Sequence, residues 1–175
     1  HENPSSSLVT VRCSPWHYKN VCLMGDSAHA IVPFYGQGMN AAFEDCFVLD
    51  EIIDRHDSND WGLVLEEYTQ NHAKDGAAIA ELALRNFIEM RDATADDNFL
   101  LRKKLELHLM KTFPGRYLSQ YRMVTFSNIP YSTALSRGDA QTVFAENLIG
   151  EFPEPSSWTG PEFIKTVEAW LNQTP

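Results

Sequence analysis

Asp26 is the residue of this chain whose type and setting best suit ligand chemistry. It lies in Gly25-Asp26-Ser27-Ala28-His29-Ala30, directly after the apolar run Val21-Cys22-Leu23-Met24. An unbroken apolar run of this kind is expected of a strand buried on both faces of a parallel sheet. The carboxylate would then stand just past the carboxyl end of the strand, where open α/β sheets bind their ligands. Downstream, Pro33-Phe34-Tyr35-Gly36-Gln37-Gly38-Met39-Asn40 leads into a helical pattern over residues 39–56. A helix start offers backbone N–H groups and a positive dipole end that stabilise a developing anion. Gly36 and Gly38 let a ring system approach the backbone closely. A carboxylate for hydroxyl groups and a helix end for negative charge are what a bound flavin requires.

Together these strings resemble the second flavin motif of the single-component FAD-dependent aromatic hydroxylases, Gly-Asp-x-Ala-His followed by Pro-x-x-Gly-Gln-Gly-Met-Asn. Two later segments, Arg85-Asn86-Phe87-Ile88-Glu89-Met90 and Tyr121-Arg122-Met123-Val124-Thr125-Phe126-Ser127, are similar to the branch of that family acting on L-kynurenine. The resemblance covers Cys13 to Arg137. It implies FAD and NADPH as cofactors, O2 and L-kynurenine as substrates, a flavin C4a-hydroperoxide as oxygen donor, and hydroxylation at the ring 3-position. By the same resemblance Asp26, Gly36, Gly38, Met39 and Asn40 contact FAD, with the ribitol hydroxyls donating to Asp26. Pro33, Phe34 and Gly38 fall where relatives place the reacting edge and the wall between flavin and substrate.

Phe34, Asn86, Tyr121 and Glu89 fall at substrate-contacting positions of the family. The bland alternatives stay open beside these roles. Pro33 and Phe34 also suit a packed loop. Asn86, a carboxamide on the apolar stripe of Ile79, Leu82, Ala83 and Met90, suits a core hydrogen bond. Tyr121 suits an ordinary half-buried tyrosine, and Glu89 a solvated helix face. His29 has no neighbour that would make it a base or a ligand, so it reads as a structural hydrogen-bonding histidine. No metal site is expected. The competing functions are a related hydroxylase acting on another aromatic acid and a non-catalytic helical interaction module.

No Gly-x-Gly-x-x-Gly follows any strand-like run, and the chain opens at His1. In this family that fingerprint, which holds the FAD pyrophosphate, lies near the amino terminus. The expectation is therefore the carboxyl-terminal portion of a longer protein, with the amino-terminal half as its partner and little FAD binding alone. The expected fold class is a mostly helical α/β fragment: the last strand and helix of an FAD-binding Rossmann-like domain plus a carboxyl-terminal helical region. The expected divisions are residues 1–17 from a substrate-domain sheet, 18–57 from the FAD-binding domain, 58–150 helical over the substrate site, and 151–175 a tail with a terminal helix.

Length and composition bound these readings. With 175 residues, 43% hydrophobic and 22% charged, the chain can bury a sizeable core. A net charge of −10 argues against nucleic acid, because phosphate contacts need clustered Lys and Arg. Cys13, Cys22 and Cys46 have no paired spacing and suit a reducing compartment. No apolar run approaches the roughly 20 residues that span a bilayer. The expected location is cytoplasmic, or the mitochondrial outer membrane if a carboxyl-terminal anchor, which eukaryotic relatives carry, has been removed.

Along the chain, Leu8–Cys13 alternates at period two and reads as a half-buried strand. In the 39–56 helix the expected apolar stripe is Ala42, Cys46, Leu49, Ile52 and Ile53, with Asp45, Asp50, Glu51 and Asp54 outside. Helices are further expected over 61–92 with an irregularity at Asp75-Gly76, over 96–112, in two segments of 116–149 broken near Pro130, and over 161–172.

Overall fold

A computed structural model describes residues 4, 7–56, 60–93 and 96–173. The chain is mostly helical and divides into two compact units, residues 1–90 with 130–135, and residues 91–129 with 136–175. The readings for residues 1–3, 5–6 and 57–59 lie outside the described residues.

In the first unit a short antiparallel ladder joins β1 (His17–Tyr18) to β2 (Val21–Cys22), with Tyr18 opposite Val21. The turn passes through Lys19 at φ 53°, and the Leu23 N–H donates to the Trp16 carbonyl at 2.8 Å. This corrects the expectation of a strand over 21–24 buried on both faces. Val21 is 65% exposed, and β2 is paired on one side only among the described residues. A short apolar run records hydrophobicity, but only neighbouring strands decide how many faces are covered. The expected strand at 8–13 is corrected too. These residues enter no ladder, and the Val11 and Cys13 N–H groups donate to the carbonyls of Ala30 and Ala28.

After β2 come the short helix α1 (Asp26–His29), α2 (Gly38–Arg55) and α3 (Trp61–Ile88). Asp60 caps α3, accepting from the Leu63 N–H at 3.3 Å. Trp16, Ala28, Ile52, Val64 and Tyr68 form the buried cluster between these elements. Burying a side chain the size of Ile52 contributes about 1.5–3 kcal/mol. The α3 helix runs unbroken through Asp75-Gly76, and the irregularity lies later, in a π-helical turn at Glu89–Ala93. Gly76 has a packing reason instead: a Cβ there would stand 2.4 Å from Cζ2 of Trp16. Glu67 ties the ends of α2 and α3, accepting from Arg55 at 2.8 Å and His56 at 2.6 Å. The His56 hydrogen bond holds the Glu67 carboxyl below its ordinary value.

The second unit contains α4 (Asp97–Thr112), α5 (Gln120–Phe126), most of α6 (Tyr131–Glu151) and α7 (Pro161–Gln173). A 3-10 turn at Pro155–Thr159 precedes α7, which carries its proline in the first turn. Asp96 and Ser119 cap α4 and α5. The core joins Leu105, Leu109, Phe113, Phe144, Leu148, Trp158, Phe163 and Val167, and Trp170 stacks on Phe144 at 4.3 Å. No helix is long and apolar enough to cross a membrane among the described residues.

Candidate functional site

The turn between β2 and α1 is built on Gly25, at φ 57° and ψ −140°, a left-handed backbone that favours glycine. Its missing side chain also matters, since a Cβ would come within 3.3 Å of Ala42 Cβ. Asp26 follows as the first residue of α1 and is exposed. No hydrogen bond or ion pair engages its carboxylate among the described residues. Ser27 steadies the turn, its hydroxyl donating to the Met24 carbonyl at 2.6 Å.

The carboxylate buried beneath this turn belongs to Asp45, on α2 and 1% exposed. Its Oδ2 accepts from the Gly25 N–H at 2.7 Å and lies 2.7 Å from Nε2 of His29. Its Oδ1 lies 2.9 Å from Nε2 of His72, on α3. An ionised carboxylate only accepts, so both imidazoles donate through Nε2. Trp16 closes the group, stacked on His29 at 5.0 Å and edge-on to His72 at 5.9 Å. Burial acts to raise the Asp45 pKa, but the bonds from His29, His72 and Gly25 outweigh it and bring it down to about 2. The Tyr68 hydroxyl, buried without a hydrogen-bond partner in the same cluster, is pushed far above its ordinary value by burial and by the Asp45 charge.

Asp45 was expected on the solvent side of its helix, and Cys46 in the apolar stripe. The structure reverses them: Asp45 is buried with Ala41 and Ile52, and Cys46 is exposed. The spacing of Ala41, Asp45, Val48 and Ile52 is itself helical and was the available signal. It competed with an overlapping stripe that kept the charge outside, the ordinary disposition of an aspartate. His72 was missed for the same reason, sitting on the buried face of α3 with Leu65, Tyr68 and Ile79. His29 takes the structural hydrogen-bonding role expected of it.

The loop from Ala30 to Gln37 turns at Gly36, φ 66°, whose N–H donates to the Pro33 carbonyl at 3.1 Å. Pro33 is exposed, and Phe34 is half-buried with its ring 4.5 Å from that of Phe87. Asn86 fastens the loop from α3, its Nδ2 donating to the Phe34 carbonyl at 2.8 Å. Gln37 is buried, and its Oε1 accepts from Asn40 Nδ2 at 2.9 Å and from the Tyr131 hydroxyl at 3.4 Å. Burial and the carboxylates of Glu44, Asp75 and Asp45 push that hydroxyl up to about 12. Asp75 accepts from the Ser132 N–H at 2.7 Å, at the start of α6.

The start of α2 has no side-chain cap, and its first turn carries no acidic residue. Its first N–H groups are therefore not taken by a side chain. Nothing stands within 4 Å of a Cβ at Gly36, and one at Gly38 would make only an ordinary 3.7 Å contact with Ile31. Packing within the chain thus does not require glycine at 38. Met39, Phe43 and Phe47 continue along α2 as exposed apolar residues, at 69%, 65% and 61%.

Asp26, Pro33, Phe34, Gly36, Gly38, Met39, Asn40, Asn86 and Glu89 all belong to the first unit. Tyr121 belongs to the second, half-exposed and edge-on to Phe126 at 6.1 Å.

Residues 6–79 match the FAD binding domain family. Over 172 residues the chain is 43% identical to kynurenine 3-monooxygenase of Flavobacterium psychrophilum, covering 98% of this chain and 38% of that protein. The kynurenine 3-monooxygenase of Christiangramia forsetii is 50% identical over 149 residues, 85% of this chain and 33% of that protein. That of Dictyostelium discoideum is 46% identical over 160 residues, 85% of this chain and 35% of that protein. This chain is similar to one portion of the kynurenine 3-monooxygenases. It spans well under half the length of these relatives. The likeness and the FAD binding domain match agree with the flavin expectation and with a monooxygenase class.

The first unit carries groups of the kind a flavin would use. An unengaged carboxylate, an uncapped helix start and a glycine that packing does not require are held on elements joined through Asp45.

Proposed function

We propose that this chain is the carboxyl-terminal portion of an FAD-dependent, NADPH-consuming monooxygenase that hydroxylates L-kynurenine at the ring 3-position. One observation carries the reading. The exposed Asp26 carboxylate and the uncapped start of α2 lie within the stretch that matches the FAD binding domain family. In this reading residues 18–57 end a Rossmann-like flavin domain, 1–17 are the end of a substrate-domain sheet whose partner strands lie outside this chain, 58–150 cover the substrate and 151–175 form a terminal tail.

Bound FAD would carry electrons from NADPH and activate O2 for attack on the aromatic ring. The chain supplies position, dryness and charge. Asp26 accepts a ribitol hydroxyl. Gly36 and Gly38 admit the ring system, and the N–H groups at Met39 and Asn40 stabilise negative charge on its pyrimidine edge. Pro33 and Phe34 wall off water. Asn86 spends its NH2 on the Phe34 carbonyl, which leaves Oδ1 to accept from the substrate ammonium. Glu89 serves the same ammonium, and the Tyr121 hydroxyl the substrate carboxylate. The Glu89 and Tyr121 roles rest on the family resemblance alone.

The test uses the complete protein: its flavin absorbance, then NADPH oxidation with and without L-kynurenine, with the product identified by mass. Bound FAD, stimulated oxidation and a product one oxygen heavier are expected. FAD without stimulation would reopen the substrate, and absence of FAD would favour a helical interaction module.

A further inference from the structure

Asp45 stands outside every role assigned above, yet it is 1% exposed and three donors converge on its carboxylate. Its carboxylate grips both ends of α1, through the Gly25 N–H at one end and the His29 imidazole at the other. The same side chain grows from α2, the helix whose start offers its N–H groups, and is braced from α3 by His72. A four-residue helix cannot hold itself in place. The backbone bonds from Val11 and Cys13 to Ala30 and Ala28 also hold α1, but the hydrogen bonds that tie the Asp26 turn directly to α2 run through this buried carboxylate.

We infer that Asp45 is a positioning residue for the cofactor, locking the Asp26 turn to the start of α2 so that a flavin meets both in one geometry. The inference rests on the flavin reading. Three donors converge on Asp45, and an ionised carboxylate accepts all three. An asparagine of the same shape offers one acceptor oxygen and one NH2. Its NH2 must then face either the Gly25–His29 pair, where the Gly25 N–H cannot accept, or His72, which can accept only by moving its proton to Nδ1. At least one of the three bonds is then lost or remade, and the hold on the turn weakens. Trp16 packed over both imidazoles keeps water from repairing the loss.

The experiment is an FAD titration of the complete protein, depleted of cofactor, following flavin fluorescence and the visible circular dichroism of bound flavin. Asp45→Asn is expected to raise the FAD Kd at least tenfold and to alter the dichroism at saturation. Ile52→Val, in the same buried cluster but outside the network, serves as the control for lost stability and is expected to stay within twofold. Equal Kd and dichroism for Asp45→Asn and wild type, or the same rise in both variants, would overturn the positioning role. If Asp45→Asn does not fold, His29→Leu is expected to weaken FAD and His29→Gln, which keeps a donor, to restore it. Equal weakening by both would count against the proposal. A wild-type protein that binds no FAD would overturn the flavin reading itself, and is distinguished by the wild-type titration alone.

Discussion

Gly38 separates a folding requirement from a ligand requirement. A Cβ there meets only Ile31, at an ordinary 3.7 Å, and the residue lies in the first turn of α2. Gly38→Ala should therefore leave the apoprotein as stable as wild type or raise it by about 0.4–1 kcal/mol, because alanine restricts the unfolded chain. The same methyl group would stand where the ring is proposed to lie, so FAD affinity should fall at least tenfold. Thermal melts of the apoprotein beside an FAD titration check both halves. A loss of stability with unchanged affinity would remove Gly38 from the site. Asp26→Asn should likewise weaken FAD while costing less than about 0.5 kcal/mol of stability, because the side chain is exposed and engages no group among the described residues.

The long α3 helix carries a glycine where Trp16 packs against it. At Gly76 a Cβ would stand 2.4 Å and 2.6 Å from two carbons of the Trp16 ring and 3.1 Å from the His29 ring. Alanine would gain about 0.5–1 kcal/mol as a helix former. Displacing a 2%-exposed indole should cost more, about 1–3 kcal/mol. Gly76→Ala is thus expected to destabilise the protein although it improves the helix, read as a lower urea midpoint with unchanged slope. A higher midpoint would show that Trp16 can shift freely. At sequence level Asp75-Gly76 reads as a weak point of the helix. In the fold it is the contact through which α3 accepts Trp16.

For the molecule as a whole, the Asp45 network implies acid sensitivity with a defined sign. The Asp45 pKa is about 2 in the folded chain against an ordinary 3.8, so the folded state binds its proton less readily. Its contribution is complete above about pH 5 and is lost as pH falls through 2. By linkage the shift corresponds to about 2 kcal/mol. Urea unfolding at pH 5 and pH 2.5 should show the stability gap between wild type and Asp45→Asn shrinking by roughly two-thirds of that amount, the remainder being lost at still lower pH. A gap independent of pH would mean that Asp45 is not held ionised by its partners.

The amino-acid sequence by itself determined the helical segments. The Asp60 cap, the stop before Pro114, the break before Tyr131 and the proline-led α7 are written in local chemistry, because capping and proline restriction act within a few residues. It also determined the flavin motif, whose residues are contiguous. Tertiary structure decided which faces are covered. Val21 is exposed at β2, Leu8–Cys13 forms no ladder, and Asp45 turns inward while Cys46 turns out. The reason is physical. Burial of a strand depends on neighbours distant in sequence, and burial of a carboxylate depends on donors from Gly25, His29 and His72 that only folding brings together.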